Sequence, residues 1–269
     1  GSEMCIRDSS VVFSSVAGYL LAVDQIDISI LLGLFFGGFA MVGASNAFNQ
    51  WIEKDKDALM IRTMDRPLPA GRMNNLAALA IASLLTLAGI YILNNINFKT
   101  ALFGSLSIFM YTCIYTPLKT LTPLSVFVGA FPGAIPFMLG WVAATGSFGI
   151  EPGLLFMIQF FWQFPHFWGI VWMMDDDYKK AGFKMLPTGN PDRATAFQIV
   201  FYTFWTIIIS ITPFTQYSGD LSLSLEAVVG LILIGIYFLY HALILMQKRT
   251  KDDARKPVSY THLLAHETK

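Results

Sequence analysis

Asn49, Glu53 and Asp57 recur every four residues, so on a helix they share one face. A second acidic group, Asp175, Asp176 and Asp177, follows much later in the chain. Carboxylate and amide oxygens are hard ligands that suit Mg²⁺, which takes one or two carboxylates and completes its shell with water and phosphate oxygens. Basic residues stand near the first group. Arg62 and Arg66 are four apart, Arg72 closes the run Arg62-Thr-Met-Asp-Arg-Pro-Leu-Pro-Ala-Gly-Arg72, and Lys119 follows Tyr115-Thr-Pro-Leu. Guanidinium forks meet phosphate oxygens in pairs. Acids for a metal beside bases for a phosphate point to a lipid diphosphate as substrate.

The elements that carry these residues belong to a membrane. Of 269 residues, 55% are hydrophobic and only 13% charged, and the mean hydropathy is +0.56. A soluble domain carries about 25% charged residues, so lipid must be most of this chain's solvent. The formal net charge is zero, which argues for no nucleic acid partner. Cys5 and Cys113 lie far apart without ligand spacing, so neither a disulfide framework nor a zinc site is expected.

Apolar runs near 10–23, 28–50, 75–94, 100–117, 123–144, 153–174, 194–214 and 224–246 read as spans. In hydrocarbon such runs close their backbone hydrogen bonds as helices, and no β-barrel alternation is present. The expected fold is therefore all-α, a polytopic transmembrane helical bundle with eight spans. Lys54, Lys56, Arg62, Arg66, Arg72, Lys119, Lys179, Lys180, Lys184, Arg193 and the tail from Lys248 all fall in alternate loops, with Lys99 alone opposite. The positive-inside rule turns those loops to the cytoplasm.

That topology places both acidic groups at the ends of helices running inward, where the macrodipole already carries negative charge. Either neighbouring lysines (Lys54, Lys56, Lys179, Lys180) neutralise them as a solvated rim, or a divalent metal does. Gly129, Pro132, Gly133 and Pro136 in the fifth span and Pro165 in the sixth mark either kinked, close packing or a cavity between helices.

Both termini break the pattern. The opening Gly-Ser-Glu-Met-Cys-Ile-Arg-Asp-Ser and the closing Pro-Val-Ser-Tyr-Thr-His-Leu-Leu-Ala-His-Glu-Thr-Lys resemble translated adapter sequence. Residues 1–9 and 257–269 are thus expected to be foreign to the protein, His262 and His266 receive no function, and 10–256 is taken as the domain.

Several stretches together resemble the UbiA-type intramembrane polyprenyltransferase superfamily, and within it the haem O synthases, the protohaem IX farnesyltransferases. Asn49-Gln-Trp-Ile-Glu53-Lys-Asp-Lys-Asp57 is similar to the first acidic motif and Arg62 to Gly71 to its basic continuation. Tyr115 to Lys119 is similar to the Tyr-x-x-x-Lys element. Trp162-Gln-Phe-Pro-His166-Phe-Trp, then Asp-Asp-Tyr-Lys-Lys-Ala-Gly and Met185-Leu-Pro, resembles the haem branch rather than the quinone or chlorophyll branches. Glu53 stands where many members carry Asp, Gln50 where many carry a second acid, and His166 in the region of another branch's Asp.

The resemblance implies nine spans, the ninth after Lys256, and hence a fragment. It implies farnesyl transfer from farnesyl diphosphate to a vinyl group of haem b, giving haem O and releasing diphosphate, with haem b as substrate rather than cofactor. Mg²⁺ would be held by Asn49, Glu53, Asp57, Asp176 and Asp177. Arg62, Arg66, Tyr115, Lys119 and His166 would bind substrate, and Asn49, Glu53, Asp57, Arg62, Arg66 and Lys119 would carry catalysis. The setting would be a bacterial plasma (inner) membrane with the site facing the cytoplasm, and haem A synthase or the terminal oxidase assembly as partners. Two alternatives stand beside it. One is a related enzyme that prenylates an aromatic quinone precursor; the other is an ion-coupled transporter, which calls for acids near the bilayer midplane.

Overall fold

The computed structural model describes residues 2–254, with side chains from Ser9 onward; the expected foreign segment 257–269 and the expected ninth span lie outside the described residues. Among the described residues all regular structure is helical. Seven helical stretches are long and apolar enough to cross a membrane: Ile28–Ile52, Asn75–Ile96, Phe98–Leu118, Ser125–Thr145, Ile150–Met173, Arg193–Phe214 and Leu225–Lys248. Each falls within a few residues of an expected span. The first expected span forms a helix too, α1 (Ser2–Leu20), but its apolar part, Ser9–Leu20, is too short to be counted with the seven. The first of the eight expected spans, read from the sequence as truncated, is short here too, and by length the described residues hold seven.

The remaining elements, in order, are α2 (Ile28–Ile52), α3 (Lys54–Asp57), α4 (Asn75–Ile96), α5 (Phe98–Phe109), a π-helical stretch (Met110–Tyr115), α6 (Thr116–Leu118), α7 (Ser125–Thr145), α8 (Ile150–Met173), α9 (Asp175–Lys180), α10 (Arg193–Ile211) and α11 (Leu225–Lys248). Short polar residues start the spans. Asp27, Asn74, Asn97, Asp192 and Ser224 each accept a backbone N–H of the first turn, satisfying donors that a helix cannot pair internally.

α7 is the hub. In its most apolar window 61% of residues are buried, against 22–39% in the other six spans. One apolar cluster joins it to α1, α2, α4 and α5 through Tyr19, Leu34, Met41, Leu93, Ile135 and Val142. A second joins it to α8 and α10 through Ala130, Phe160, Phe164, Trp168 and Ile199. Pro132 and Pro136 lie inside α7 without ending it. Pro136 has no N–H for the Pro132 carbonyl one turn back, and the Ser107 hydroxyl on α5 donates to that carbonyl at 3.1 Å instead. From α8 the Gln163 amide donates to the Ala130 carbonyl, also at 3.1 Å. At Pro136, then, a neighbouring helix supplies the missing donor.

α1 and α7 touch backbone to backbone at Gly18 and Gly140. A Cβ on Gly18 would overlap the Phe137 carbonyl, and one on Gly140 the Ser15 carbonyl. Small residues let membrane helices approach in this way. Gly140→Ala is expected to lose about 1–3 kcal/mol, the usual cost of overpacking. Gly153→Ala, which has open space around it, serves as the control. Thermal unfolding of both variants in detergent checks this; equal midpoints would contradict the close contact.

Candidate functional site

The face predicted for Asn49, Glu53 and Asp57 exists because helical hydrogen bonding runs through the α2–α3 junction. Glu53 caps α2, yet its N–H donates to the Asn49 carbonyl at 2.9 Å, and the Asp57 N–H donates to the Glu53 carbonyl at 2.8 Å. The three side chains stay aligned and are all buried: Asn49 is 8% exposed, Glu53 3% and Asp57 1%. A buried carboxylate must be paired with a cation or with strong donors. The cations come from a distance, not from adjacent Lys54 or Lys56.

Lys119, itself only 7% exposed, reaches across from the end of α6. Its ammonium donates to Asn49 Oδ1 at 3.0 Å and to Glu53 Oε2 at 3.1 Å. It is also 3.1 Å from Glu53 Oε1. The angles favour a hydrogen bond only to Oε2, so the buried Oε1 has charge nearby but no hydrogen bond. The Thr116 hydroxyl lies 3.2 Å from Asn49 Oδ1 and shares its proton with the Tyr111 carbonyl at 2.8 Å. Burial pulls the Lys119 pKa down, but Tyr115 and Glu53 more than offset it, and the net shift is upward. Lys119 is therefore an ammonium at neutral pH.

Aromatic rings enclose that ammonium. Its Nζ lies 4.6 Å from the ring centre of Tyr115 and 5.9 Å from those of Tyr111 and Phe183, within the range of cation–π attraction. Tyr111 and Tyr115 belong to the π-helical stretch, a wide turn of the sort found at functional positions. Tyr115 packs flush against Gly129 of α7, where a Cβ would meet the ring at 2.6 Å.

Arg66 pairs with Asp57 at 2.7 Å, and the Thr63 hydroxyl donates to the Asp57 carbonyl at 2.8 Å. The 58–73 loop thereby folds back over the acids. Arg62 donates to the Tyr178 hydroxyl at 3.2 Å and lies 5.8 Å from its ring centre. Arg72 instead bonds the Asp65 carbonyl within its own loop.

The second acidic group is built differently. The sixth expected span ends at Met173, and Asp175–Asp177 form the first turn of the short α9. Hydrogen bonding runs through Met174 as it does through Glu53, from the Met174 N–H to the Ile170 carbonyl and from the Tyr178 N–H to the Met174 carbonyl, both at 3.1 Å. Asp175 is buried and pairs with Lys179 at 2.7 Å. Asp177 lies 3.6 Å from Lys180. The Asp176 side chain is 75% exposed and pairs with Lys251 at 2.6 Å. That hydrogen bond and charge hold its carboxyl below the usual range.

The two loops do meet, but through Tyr178 and Phe183 rather than Asp176 and Asp177. Phe183 lies beneath Lys56 as well as Lys119, and the Lys184 N–H donates to the Lys119 carbonyl at 2.7 Å. Among the described residues no three acid, histidine or cysteine side chains gather as a metal site of their own. Asn49 with Glu53 and Asp57 nevertheless fits Mg²⁺, which needs only one or two carboxylates when phosphate completes its shell. The buried Glu53 Oε1 without a hydrogen bond is the observation that favours a cation there.

His166 is not gathered with these residues. It stacks on Trp162 (ring centres 4.8 Å apart, 14° between planes) and lines a groove of about 160 Å³ between α8, α10 and α11, with Thr203, Thr206 and Ser210. Spacing gave no role to Thr116, Tyr111, Tyr178 or Phe183. Tyr111 carried a signal, standing two four-residue steps before Lys119. The other three are joined to the site only by folding.

An apolar bundle with buried acids, bases and aromatic rings at one end is the architecture of an intramembrane enzyme acting on lipid diphosphates. The chain belongs to the UbiA prenyltransferase family, which it matches over residues 11–264. It is 60% identical over 259 residues to the Protoheme IX farnesyltransferase of Christiangramia forsetii, covering 95% of this chain and 86% of that protein. Among solved structures, a digeranylgeranylglyceryl phosphate synthase superposes with a TM-score of 0.78 at 20% identity, covering 95% of this chain and 88% of that one. A UbiA homolog from Archaeoglobus fulgidus bound to GPP and Mg²⁺ superposes with a TM-score of 0.68 at 16% identity, covering 94% and 91%.

The Asp57–Arg66 pair makes its own prediction. Arg66→Met leaves a buried carboxylate uncompensated and is expected to cost about 3 kcal/mol, the low end for a broken buried pair because Arg66 is partly exposed. Adding Asp57→Asn should restore most of that loss. Denaturant unfolding in micelles checks it, and a double variant no more stable than the single one would refute the pairing.

Proposed function

We propose that this chain transfers the farnesyl group of farnesyl diphosphate to a vinyl group of haem b, forming haem O and releasing diphosphate, at the end of the bundle that faces the cytoplasm of a bacterial plasma membrane. The observation that carries the site assignment is the aligned, buried set Asn49, Glu53 and Asp57 with Lys119 and Arg66 upon it. The 60% identity to a Protoheme IX farnesyltransferase supports the choice of haem b over an aromatic acceptor. Acids at the ends of α2 and α8, rather than in mid-span, count against an ion-coupled transporter.

In this reading the allylic C–O bond of the diphosphate ester breaks, C1 of the farnesyl chain bonds to the vinyl carbon, and water captures the cation left on the haem side chain. The demanding task is to stabilise the departing diphosphate. Asn49, Glu53 and Asp57 would hold Mg²⁺, which supplies Lewis-acid and templating chemistry when bound. Arg62, Arg66 and Lys119 turn fixed positive charge toward the phosphate oxygens without solvent reorganisation. Tyr115 fixes the direction of Lys119. The apolar helices above exclude water that would quench the allylic cation.

Asp176 and Asp177 are paired with Lys251 and Lys180 and would have to give up those lysines to help hold the metal, so their share would be secondary. His166 contributes to the acceptor. Its 160 Å³ groove is smaller than the roughly 300–1,000 Å³ of pockets that enclose drug-sized ligands, so it contacts an edge of haem rather than enclosing it. Haem A synthase or the terminal oxidase assembly would receive the product, and co-purification from solubilised membranes tests that association.

Membranes holding the protein, given labelled farnesyl diphosphate and haem b, should yield labelled haem; label passing only to an added aromatic acid would overturn the assignment. Asp57→Asn should insert and fold normally while turnover falls by at least about a hundredfold, matching the loss of about 3 kcal/mol of transition-state stabilisation. Near-normal turnover would remove Asp57 from the metal site.

A further inference from the structure

Lys119 occupies the oxygens that the metal reading requires. Its ammonium bonds Asn49 Oδ1 and Glu53 Oε2 and lies equally close to Glu53 Oε1. A divalent ion on those oxygens would bind at about 2.0–2.1 Å. It would use the lone pairs that now accept from Lys119 and would repel the ammonium. The two cations exclude each other. We infer that the Lys119 ammonium is the resident cation of the Asn49–Glu53 site before metal arrives, and that its side chain leaves these oxygens when a divalent ion takes them. This rests on the reading of Asn49, Glu53 and Asp57 as the metal site.

Three features fit such an exchange. First, the site cannot stand empty, because Glu53 is 3% exposed and a buried carboxylate without a counter-charge is strongly disfavoured. A lysine in place lets the protein fold before metal loads. Second, the Lys119 backbone is held by bonds of its own, independent of the partners of its ammonium. The Lys119 carbonyl accepts the Lys184 N–H at 2.7 Å and its N–H donates to the Tyr115 carbonyl at 3.3 Å, whereas a four-carbon stem with a rotatable ammonium can change partners. Third, Asn49 Oδ1 has a second polar neighbour besides Lys119, the Thr116 hydroxyl at 3.2 Å, which shares its proton with the Tyr111 carbonyl at 2.8 Å.

The consequence is a coupling between metal and diphosphate. A displaced ammonium, still flanked by Tyr111, Tyr115 and Phe183, needs a new counter-charge, and the diphosphate that accompanies the metal provides one. Loading the metal thus turns Lys119 from a ligand of the acids into a ligand of the substrate.

The test uses the full chain in lipid nanodiscs and an amine-acylating reagent, with modification of Lys119 read by mass spectrometry against exposed Lys99. In EDTA Lys119 should react slowly; added Mg²⁺ should speed its modification several-fold while Lys99 is unchanged. In parallel, Mn²⁺ binding is followed by electron paramagnetic resonance. Lys119→Met should bind Mn²⁺ about tenfold more tightly than the native chain without diphosphate, the ratio expected when one charge-assisted hydrogen bond no longer competes. Mn²⁺ binding with Lys119 reactivity indifferent to metal, or with unaltered affinity in Lys119→Met, overturns the exchange but leaves the metal site standing. No Mn²⁺ binding even with inorganic diphosphate present overturns the metal reading itself, and the exchange with it.

Discussion

A buried ammonium between an amide oxygen and a carboxylate holds the basic end of this bundle together. Lys119 directly follows the third long span and Asn49 and Glu53 come from the end of α2, so the contact ties two spans that are separate in sequence. Removing either partner would leave a charge in a place water does not reach, and such losses are steep. The same knot sets the loops. The Lys119 carbonyl receives the Lys184 N–H, and the Phe183 ring beside its ammonium brings the 181–186 segment over the site. Ala181, Phe183, Met185 and Leu186 are all buried there in the cluster that includes Tyr115 and Trp172.

Above this end, α7 supplies the wall. Pro136 deprives the Pro132 carbonyl of its helical donor and Ser107 from α5 supplies one, while Gln163 from α8 adds a bond to the Ala130 carbonyl. Helix placement and backbone satisfaction are therefore one problem. The helices that must flank α7 are those that carry a donor at the right depth. On the α8 side, Phe156, Phe160, Phe164 and Trp168 form a ladder at four-residue spacing, with neighbouring ring centres 5.2–5.7 Å apart. Phe160, Phe164 and Trp168 are buried in the cluster that joins α7 to α8 and α10, so the ladder fixes the wall rather than lining a space.

Most of the architecture was legible because lipid imposes a length and a polarity on every span, and seven of the eight expected runs became membrane-length helices. The first did not, because its apolar stretch is short. The face of Asn49, Glu53 and Asp57 was legible because helical bonding passes unbroken through Glu53. At the second acidic group the bonding likewise runs through Met174, but one of its partners, Lys251 on Asp176, lies further off than any spacing rule looks. Nor does one reveal that Lys119 and Arg66, rather than adjacent lysines, compensate the first group, since those pairs close only when the loops fold.

The two acidic groups then differ in a way that bears on chemistry. Asp176 and Asp177 take lysines from near their own surface, one of them across an exposed 2.6 Å contact, and surface pairs of this sort are worth little. They would remain solvated if their lysines moved away. Glu53 and Asp57 have no such refuge. Buried and aligned, they require a cation at all times, and only the identity of that cation is open to change. A group that must always be occupied, and whose occupant is a side chain on a flexible stem, is prepared for a metal in a way that an exposed cluster is not. On the proposed exchange, preorganisation is the desolvation cost already met during folding, and a divalent ion with its diphosphate would enter by replacing an ammonium instead of by stripping water from bare carboxylates.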